Sequence, residues 1–283
     1  MIKRYTELHP SVYVENGGYV SYTREVARLY LLPGDNRADK IIKSKGFTQP
    51  RTFAAWAELI DRFQPGMILD VGSNHGEMVL PLNVRQDVKV YLYEPNDDLA
   101  KTLEKSISSH VRADNFKVVR AAVSDRNGTS TFNIDKKWSG TSSLDYQAPD
   151  RTYKGVGSQT YDVVEVRTVT LDSIIADATR SGDCGPIAIK IDVEGHEPSV
   201  FRGGRSQLRE KQFFCLFEYS PEQIGRAGEN GPAMLEGLAG LGQIYTIEGY
   251  SGMKAVSNVT DIGQKNCDLI VSNIKFPDDI IVV

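Results

Sequence analysis

Acidic side chains and one imidazole directly follow an apolar run in the stretch IAIKIDVEGHE, residues 187–197. Asp192, Glu194, His196 and Glu197 fall within six consecutive positions. The apolar run predicts a buried strand, and charged groups at its end are costly to bury unless a partner or a ligand compensates them. We therefore predict a functional site at the end of this strand.

Three of these side chains have the chemistry for group transfer. The carboxylate of Asp192 could orient an amino group or an incoming hydroxyl group at the strand end. His196 is a candidate general base, because an unperturbed imidazole titrates near neutral pH; the alternative is that His196 and Glu197 only cap the helix that follows. We take Asp192, Glu194 and His196 as candidate catalytic residues and favour Asp192 for the direct role.

A divalent metal ion is an alternative ligand at the same place. Glu218 lies near the end of the next predicted strand, FFCLFEY, so Asp192, Glu194 and Glu218 could together offer oxygen ligands to Mg²⁺ or Ca²⁺. No spacing in the sequence fixes such a site. We therefore predict no metal and leave the dependence on one open.

The stretch ILDVGSNHGE, residues 68–77, has the pattern of a nucleotide-binding turn. Gly72 lets the backbone approach a ligand closely, and the helix expected after Gly76 offers free N–H groups. Asn74 stands where a dinucleotide fingerprint has its second glycine, so a dinucleotide is disfavoured. A turn without a ligand is the alternative, and His75 would either be exposed on it or touch the ligand.

An acidic side chain ends the following strand, VYLYE, 24 positions beyond Asp70. Glu94 occupies the place at which a carboxylate binds the hydroxyl groups of a ribose in nucleotide-binding α/β proteins. The sequence therefore predicts a ligand of adenosine type with free ribose hydroxyl groups.

Short β-rich runs alternate with helical stretches from about residue 67 onwards. This alternation predicts an α/β fold in which a mostly parallel sheet carries helices on both faces. Helices are expected near 76–85 and over 96–110. The predicted strands are 67–71, 88–94, 116–123, 187–193, 213–219, 243–250 and 267–273.

The region 124–170 interrupts this alternation. It contains two β-like runs around a long polar loop, which predicts a hairpin-like insertion hanging over the ligand end of the sheet. Trp138, Ser142 and Ser143 in this loop could contact a polyhydroxylated acceptor. A plain surface loop is the alternative.

The first 62 residues interrupt it as well. Apolar positions predict a helix over 52–63 that packs on the core, and five of the 13 tyrosines fall in the first thirty positions. We predict that residues 1–62 form a helical and aromatic cap or an oligomerisation extension, so a homo-oligomer is compatible with the sequence.

Composition excludes several classes of protein. A hydrophobic fraction of 40% and a charged fraction of 25% are typical of globular proteins, and a net charge of −4 does not suggest a nucleic-acid partner. No apolar run could span a bilayer, and the first residues lack the apolar centre of a signal peptide. Three widely spaced cysteines indicate neither a disulfide framework nor a zinc site. We expect a cytoplasmic protein without membrane or nucleic-acid partners.

Seven motifs occur in order along the chain: ILDVGSNHGE, YEPN, AAVSDRNGTSTF, SGTSSL, VRTVTLDSII, IKIDVEGHEPSVFRGG and LFEYSP. Together they resemble the FkbM family of S-adenosylmethionine-dependent methyltransferases. The similarity spans roughly residues 67–220, continues fairly to the end, and is most specific in the block KIDVEG. Residues 1–50 carry none of it.

This resemblance implies a class I, Rossmann-like fold with a seven-stranded sheet, and S-adenosylmethionine as the cofactor. Glu94 would hold the ribose hydroxyl groups with Pro95 and Asn96 beside the adenosine, and Ala121 and Ala122 would lie near the adenine. The residues expected along the methionine part are Asp70, Gly72, Ser73, Asn74, Gly76 and Asp192.

The resemblance further implies that residues 63–283 form a methyltransferase domain, acting on a hydroxyl oxygen of a small molecule such as a sugar or a natural-product scaffold. Trp138, Ser142, Ser143 and Glu218 are then expected to bind this acceptor. The alternatives are an N-methyltransferase of the same fold, a nicotinamide-dependent oxidoreductase and a non-catalytic nucleotide-binding module.

Overall fold

The computed structural model describes residues 13–15, 19–23, 27–145, 161–180, 182, 184–249 and 252–281. In chain order its strands are β1 (Tyr13–Glu15), β2 (Tyr19–Thr23), β3 (Ala27–Tyr30), β4 (Met67–Val71), β5 (Lys89–Tyr93), β6 (Phe116–Val119), β7 (Ala122–Val123), β8 (Gly128–Asp135), β9 (Tyr161–Val169), β10 (Ile187–Ile191), β11 (Phe213–Tyr219), β12 (Gln243–Glu248), β13 (Gly252–Ala255) and β14 (Cys267–Ser272). Its α-helices are α1 (Asn36–Lys43), α2 (Pro50–Phe63), α3 (Asp97–Ser108), α4 (Leu171–Ala178), α5 (Glu197–Arg202), α6 (Arg205–Glu210), α7 (Pro221–Arg226) and α8 (Gly231–Ala239).

A central sheet runs in the order β13-β12-β14-β11-β10-β4-β5-β6. The strands from β11 to β6 are parallel, whereas β14 is antiparallel to both of its neighbours. All seven predicted strands contribute to this sheet. The eighth, β13, pairs antiparallel with β12 at the edge, and its four residues are too few to give a periodic signal. The predicted α/β fold with a mostly parallel sheet is confirmed.

The predicted strand 116–123 is wrong as a single element. It divides into β6, which joins the central sheet, and β7, which joins a second sheet of order β7-β9-β8. The N–H of Ala121 donates to the carbonyl of Val119 at 2.9 Å, and this three-residue turn bends the chain between the two strands. An apolar pattern that continues through such a bend does not reveal it.

The predicted helix near 76–85 is also wrong. The N–H of Leu80 donates to the carbonyl of Gly76 at 2.9 Å, which closes one helical turn. Pro81 follows immediately and cannot donate a backbone hydrogen bond, so the turn is not extended into a helix. The predicted helix over 96–110 is present as α3, and the Asn96 side chain caps it by accepting from the N–H of Asp98 at 3.0 Å.

Apolar clusters cover both faces of the central sheet. On β4, Ile68 packs into the cluster that contains α2, while Met67, Leu69 and Val71 pack into the opposite cluster. This alternation is the two-residue period of a strand. It places Asp70 on the same face as Ile68, and Lys190, its partner across the β4–β10 ladder, on that face as well.

The predicted helix over 52–63 is present as α2, with Pro50 in its first turn. Its Trp56 is fully buried and meets Phe214 of β11 edge to face, with ring centroids 5.7 Å apart. The same cluster includes Leu29 and Ile41. The buried apolar side chains between residues 29 and 60 therefore share a core with the central sheet.

The two β-like runs of the insertion pair as the antiparallel strands β8 and β9. The part of its polar loop from residue 146 to residue 160 lies outside the described residues, as do the side chains of the tyrosines before Tyr30. The strands β1, β2 and β3 form a separate antiparallel sheet. Within the described residues, the helices lack the combination of length and apolar character that crossing a bilayer requires.

Candidate functional site

A cavity of about 600 Å³, open to solvent, lies at the carboxyl ends of β4, β5 and β10. The carboxyl ends of parallel strands are where α/β proteins bind ligands. It is lined by Arg37, Gly72, Asn74, Tyr93, Glu94, Pro95, Ala121, Ala122, Val123, Phe132, Ser139, Gly140, Ser142, Leu144, Asp192, Val193, Glu194 and His196.

The turn after β4 depends on glycine. Gly72 has φ +76°, and a Cβ atom placed on it would lie 2.0 Å from the carbonyl oxygen of Asp192. Two strand ends therefore approach each other at this point more closely than any side chain permits. Asn74 also has a positive φ of 49°, and its N–H points back at the end of β5.

Glu94 directly follows β5 and lines the cavity at that strand end. Its two carboxylate oxygens accept hydrogen bonds from the N–H of Asn74 at 2.9 Å and the N–H of Asn96 at 2.8 Å. Burial raises the pKa of Glu94 to about 7, against the opposing effect of these two bonds. Each oxygen keeps a lone pair for a hydroxyl donor in the cavity.

Asp70 lies behind the cavity rather than on its surface, since its side chain is completely buried. Lys190 Nζ lies 3.4 Å from Asp70 Oδ1 and 3.5 Å from Asp192 Oδ2, and it donates to the carbonyl of Gly72 at 3.1 Å. Burial raises the pKa of Asp70, and the charge of Lys190 opposes that rise. Lys190 therefore ties the glycine turn to the end of β10.

Asp192, Glu194 and Glu218 form an acidic cluster in which ligand oxygens, one from each residue, lie within 4.8 Å of one another. Burial would raise the pKa of Asp192, but the charges of Lys190 and Arg37 outweigh it and hold that pKa below its ordinary value. Burial raises the pKa of Glu194 to about 8 and that of Glu218 well above its ordinary value. At neutral pH these shifts favour an ionised Asp192 beside a protonated Glu194.

Three oxygen donors at this separation fit a divalent cation as well as they fit a shared proton. Two cationic side chains already stand against the cluster, because Lys190 and Arg37 both lower the pKa of Asp192. We assign no metal to it.

His196 is held at both ring nitrogens. Nδ1 contacts the carboxylate of Asp145, and Nε2 lies 2.9 Å from Ser124 Oγ. The ring lines the cavity, yet a nitrogen would have to leave a protein partner before it could accept a proton from a substrate. Capping of the turn before α5 is done by Glu197, whose carboxylate accepts from the N–H of Val193 at 2.9 Å and the N–H of Gly195 at 3.0 Å.

Ten of the predicted site residues line the cavity: Gly72, Asn74, Glu94, Pro95, Ala121, Ala122, Ser142, Asp192, Glu194 and His196. The others lie outside its lining: Asp70, Ser73, Gly76, Asn96, Trp138, Ser143 and Glu218. Of these, Ser143 Oγ donates to the carbonyl of Glu194 at 3.3 Å, and the Trp138 ring faces Lys40 Nζ at 5.6 Å. Glu218 belongs to the acidic cluster with Asp192 and Glu194, and those two residues line the cavity.

The sequence did not indicate the contribution of α1. Its N-cap residue Asp35 is buried and accepts hydrogen bonds from Ser139 N at 3.0 Å, from the Ser139 hydroxyl and from Arg37 N at 3.0 Å. His75 Nε2 lies 3.0 Å from the same carboxylate. Both expectations for His75 are wrong, because it is fully buried against Asp35. One carboxylate thus joins the N-terminal segment, the glycine turn and the insertion.

Arg37 projects from α1 into the cavity. Its Nη2 donates to Glu77 Oε1 at 2.6 Å, and its side chain is 14% exposed. Gly140 makes room for it, because a Cβ atom there would lie 2.9 Å from Arg37 Nη1. Nothing in the sequence signals that Arg37 meets Glu77, 40 positions later along the chain.

Comparison with known proteins gives one family and no curated relative. The sequence model of the family described as "Methyltransferase FkbM domain" matches residues 70–245, more than half of the chain. None of the curated proteins compared with the chain matches it.

Solved structures give distant likenesses. The FkbM methyltransferase of Methylobacillus flagellatus KT is 15% identical with a TM-score of 0.44, over 85% of this chain and 56% of that one. An O-methyltransferase from Bacillus cereus is 13% identical with a TM-score of 0.44, over 96% and 100%. The O-methyltransferase TomG from Streptomyces achromogenes is 12% identical with a TM-score of 0.43, over 78% and 79%. At these values the three structures carry no argument about activity.

Proposed function

Because the chain belongs to the FkbM methyltransferase family, we propose that it transfers a methyl group from S-adenosylmethionine to a hydroxyl oxygen of a small polyhydroxylated molecule, such as a sugar or a natural-product scaffold. One observation carries this proposal. A single cavity joins a glycine turn and the carboxylate of Glu94 to the carboxylates of Asp192 and Glu194.

The first end of the cavity suits an adenosine. Glu94 offers two acceptor oxygens that backbone N–H groups hold in place, and a ribose diol has two donors to match them. Tyr93, Ala121, Ala122 and Phe132 supply apolar surface next to it, which suits the faces of an adenine ring.

The second end suits a cation. When bound, S-adenosylmethionine would supply a methyl group on a positively charged sulfur, and this sulfur would be the leaving group when the acceptor oxygen attacks the methyl carbon in line. The ionised carboxylate of Asp192 lines the cavity there and is held by Lys190. An anionic wall attracts the sulfonium and the ammonium group of the methionine part.

We assign Asp192 as the base that takes the proton of the acceptor hydroxyl group. Its pKa is held below the ordinary value by Lys190 and Arg37 against the effect of burial, so it is ionised before the transfer. Glu194, whose pKa is raised to about 8, is protonated at neutral pH and can donate a hydrogen bond to the acceptor oxygen. His196, engaged with Asp145 and Ser124, positions this wall.

The acceptor would enter past the insertion. Ser139 and Ser142 of the insertion line the cavity, and hydroxyl groups suit a ligand that carries several hydroxyls of its own.

Titration calorimetry with S-adenosylhomocysteine, and with NAD in a parallel cell, tests the proposal. We expect S-adenosylhomocysteine to bind and NAD not to bind. Glu94→Gln preserves the size of the side chain but loses the charge that two N–H groups and a diol share, so we expect about tenfold weaker binding of S-adenosylhomocysteine.

A turnover assay extends the test. With S-adenosylmethionine as donor, hydroxylated acceptors and their amine counterparts are compared by the S-adenosylhomocysteine they release. Turnover with amines alone would replace the proposal by N-methylation. Binding of NAD in place of S-adenosylhomocysteine would refute it.

A further inference from the structure

Arg37 has hydrogen-bonding capacity that its partners among the described residues do not use. Of its five N–H donors, one meets Glu77 at 2.6 Å, whereas the buried Nε has no hydrogen-bond partner among the described residues. A buried donor without a partner costs about 1 to 3 kcal/mol. The guanidinium also lines the cavity, so its remaining Nη donors can meet an acceptor on a bound ligand.

The charge of Arg37 is unusual at this cavity. It is the only lysine or arginine among the described residues that line the cavity. Gly140 of the insertion lies against its guanidinium, Glu77 accepts its hydrogen bond, and the carboxylate of Asp192 is close enough to act on its charge. Arg37 therefore stands at the end where the methionine part of the cofactor is expected, away from Glu94.

The methionine part of the cofactor is a zwitterion, and its ammonium and carboxylate groups need different partners. The ionised carboxylate of Asp192, held by Lys190, suits the ammonium group. A carboxylate needs donors in a planar fork, which is the geometry that arginine offers and lysine lacks.

We infer that Arg37, delivered by the N-terminal helix α1, binds the carboxylate of the methionine part of the cofactor and so makes that segment a component of the cofactor site. This inference rests on the proposed function. Asp35 supports it structurally, because its carboxylate fixes the first turn of α1 against His75 and Ser139.

The test compares two probes, S-adenosylhomocysteine and its decarboxylated analogue, which keeps the adenosine, the thioether and the amine. The variant Arg37→Met/Glu77→Gln removes the guanidinium without leaving a buried carboxylate unpaired, and Glu77→Gln alone is the matched control. Binding is measured by calorimetry on the full chain, and thermal unfolding verifies that each variant is folded.

We expect the wild type and the control both to prefer S-adenosylhomocysteine over the analogue. The double variant should bind S-adenosylhomocysteine about 10- to 100-fold more weakly and the analogue almost unchanged. If the double variant does not fold, Arg37→Lys keeps the charge opposite Glu77 and loses the fork, and it should reduce the same preference.

The outcomes separate the two proposals. Equal loss for both probes, or no loss for either, overturns the role of Arg37 while the cofactor assignment stands. No binding of S-adenosylhomocysteine by the wild type overturns the proposed function, and this inference with it.

Discussion

The two ends of the cavity are built in different ways. At the Glu94 end, the turn after β4 and the end of β5 come from adjacent parallel strands, and backbone N–H groups hold the carboxylate at 2.8 and 2.9 Å. At the Asp192 end, the polar groups belong to α1, the insertion, β10 and β11, and side-chain contacts such as Arg37 with Glu77 join them.

The two ends of the cavity therefore depend on different kinds of contact. Backbone donors are fixed once the strands pair, so the Glu94 end needs only a local motif and the correct neighbour. The Asp192 end gathers five ionisable groups with opposed pKa shifts, and their arrangement depends on how distant segments pack. Perturbed groups of this kind are typical of a reaction centre.

The largest expected effect breaks the contact that joins the two ends. Gly72→Ala places a Cβ atom 2.0 Å from the carbonyl of Asp192 at a φ of +76°. We expect a loss of about 3 to 5 kcal/mol in the free energy of unfolding, combining backbone strain with overpacking. Gly34→Ala is the control, because Gly34 has φ +80° and a Cβ atom added there would meet nothing within 4 Å. In that variant only the strain, about 1 kcal/mol, should appear in denaturant titrations; equal losses would contradict the close approach.

A smaller effect should separate the two ends by function. Asp192→Asn keeps the shape of the side chain and removes the proton acceptor, so we expect about 100-fold lower kcat with the acceptor. Glu94→Gln should instead act on cofactor binding and leave most of kcat at saturating cofactor. Steady-state kinetics with both substrates varied measures this split. A kcat that Asp192→Asn leaves unchanged would remove Asp192 from the reaction.

The smallest effect concerns pH at the Asp192 end. Burial, and next the charge of Asp192, raise the pKa of Glu194 to about 8, whereas an unfolded Glu titrates at about 4.3. Folding therefore favours the protonated form. This contribution is present below the unfolded pKa and is lost as the pH rises towards 8.

We expect the free energy of unfolding of the wild type to fall across this window. The free energy of unfolding of Glu194→Gln, which stays neutral, should fall less steeply with pH. Denaturant titrations between about pH 5 and pH 8.5 measure the two slopes. Glu222→Gln is the control, since the exposed Glu222 pairs with Arg226 on the surface of α7 and should follow the wild type. Parallel slopes for Glu194→Gln and wild type would contradict the raised pKa.

The sequence was sufficient for the sheet because each central strand is a short apolar run. Strands such as Ile187–Ile191 and Met67–Val71 are buried at every position, and such runs between turn residues indicate parallel strands without tertiary information. It was insufficient at Pro81 and at Ala121. A single helical turn ends at Pro81, and the chain bends tightly at Ala121, but the apolar pattern continues through both places. Only the backbone hydrogen bonds show the turn and the bend.

Site prediction followed the same division. Glu94, Asn74 and Gly72 were found because their spacing relative to a strand is itself the signal, and all three line the cavity. Arg37 and Ser139 were missed because they lie outside such spacing. Arg37 precedes Glu77 by 40 positions, and Asp35 precedes Ser139 by 104.

The sequence alone determined the α/β fold, the family, the glycine turn and the acidic strand ends, because these depend on local period, backbone conformation and residues near one strand. Tertiary structure decided which carboxylates meet and which are ionised. It also decided that α1 reaches the cavity and that His196 is engaged on both sides. Burial and charge act over a few ångströms of space, whatever the distance along the chain.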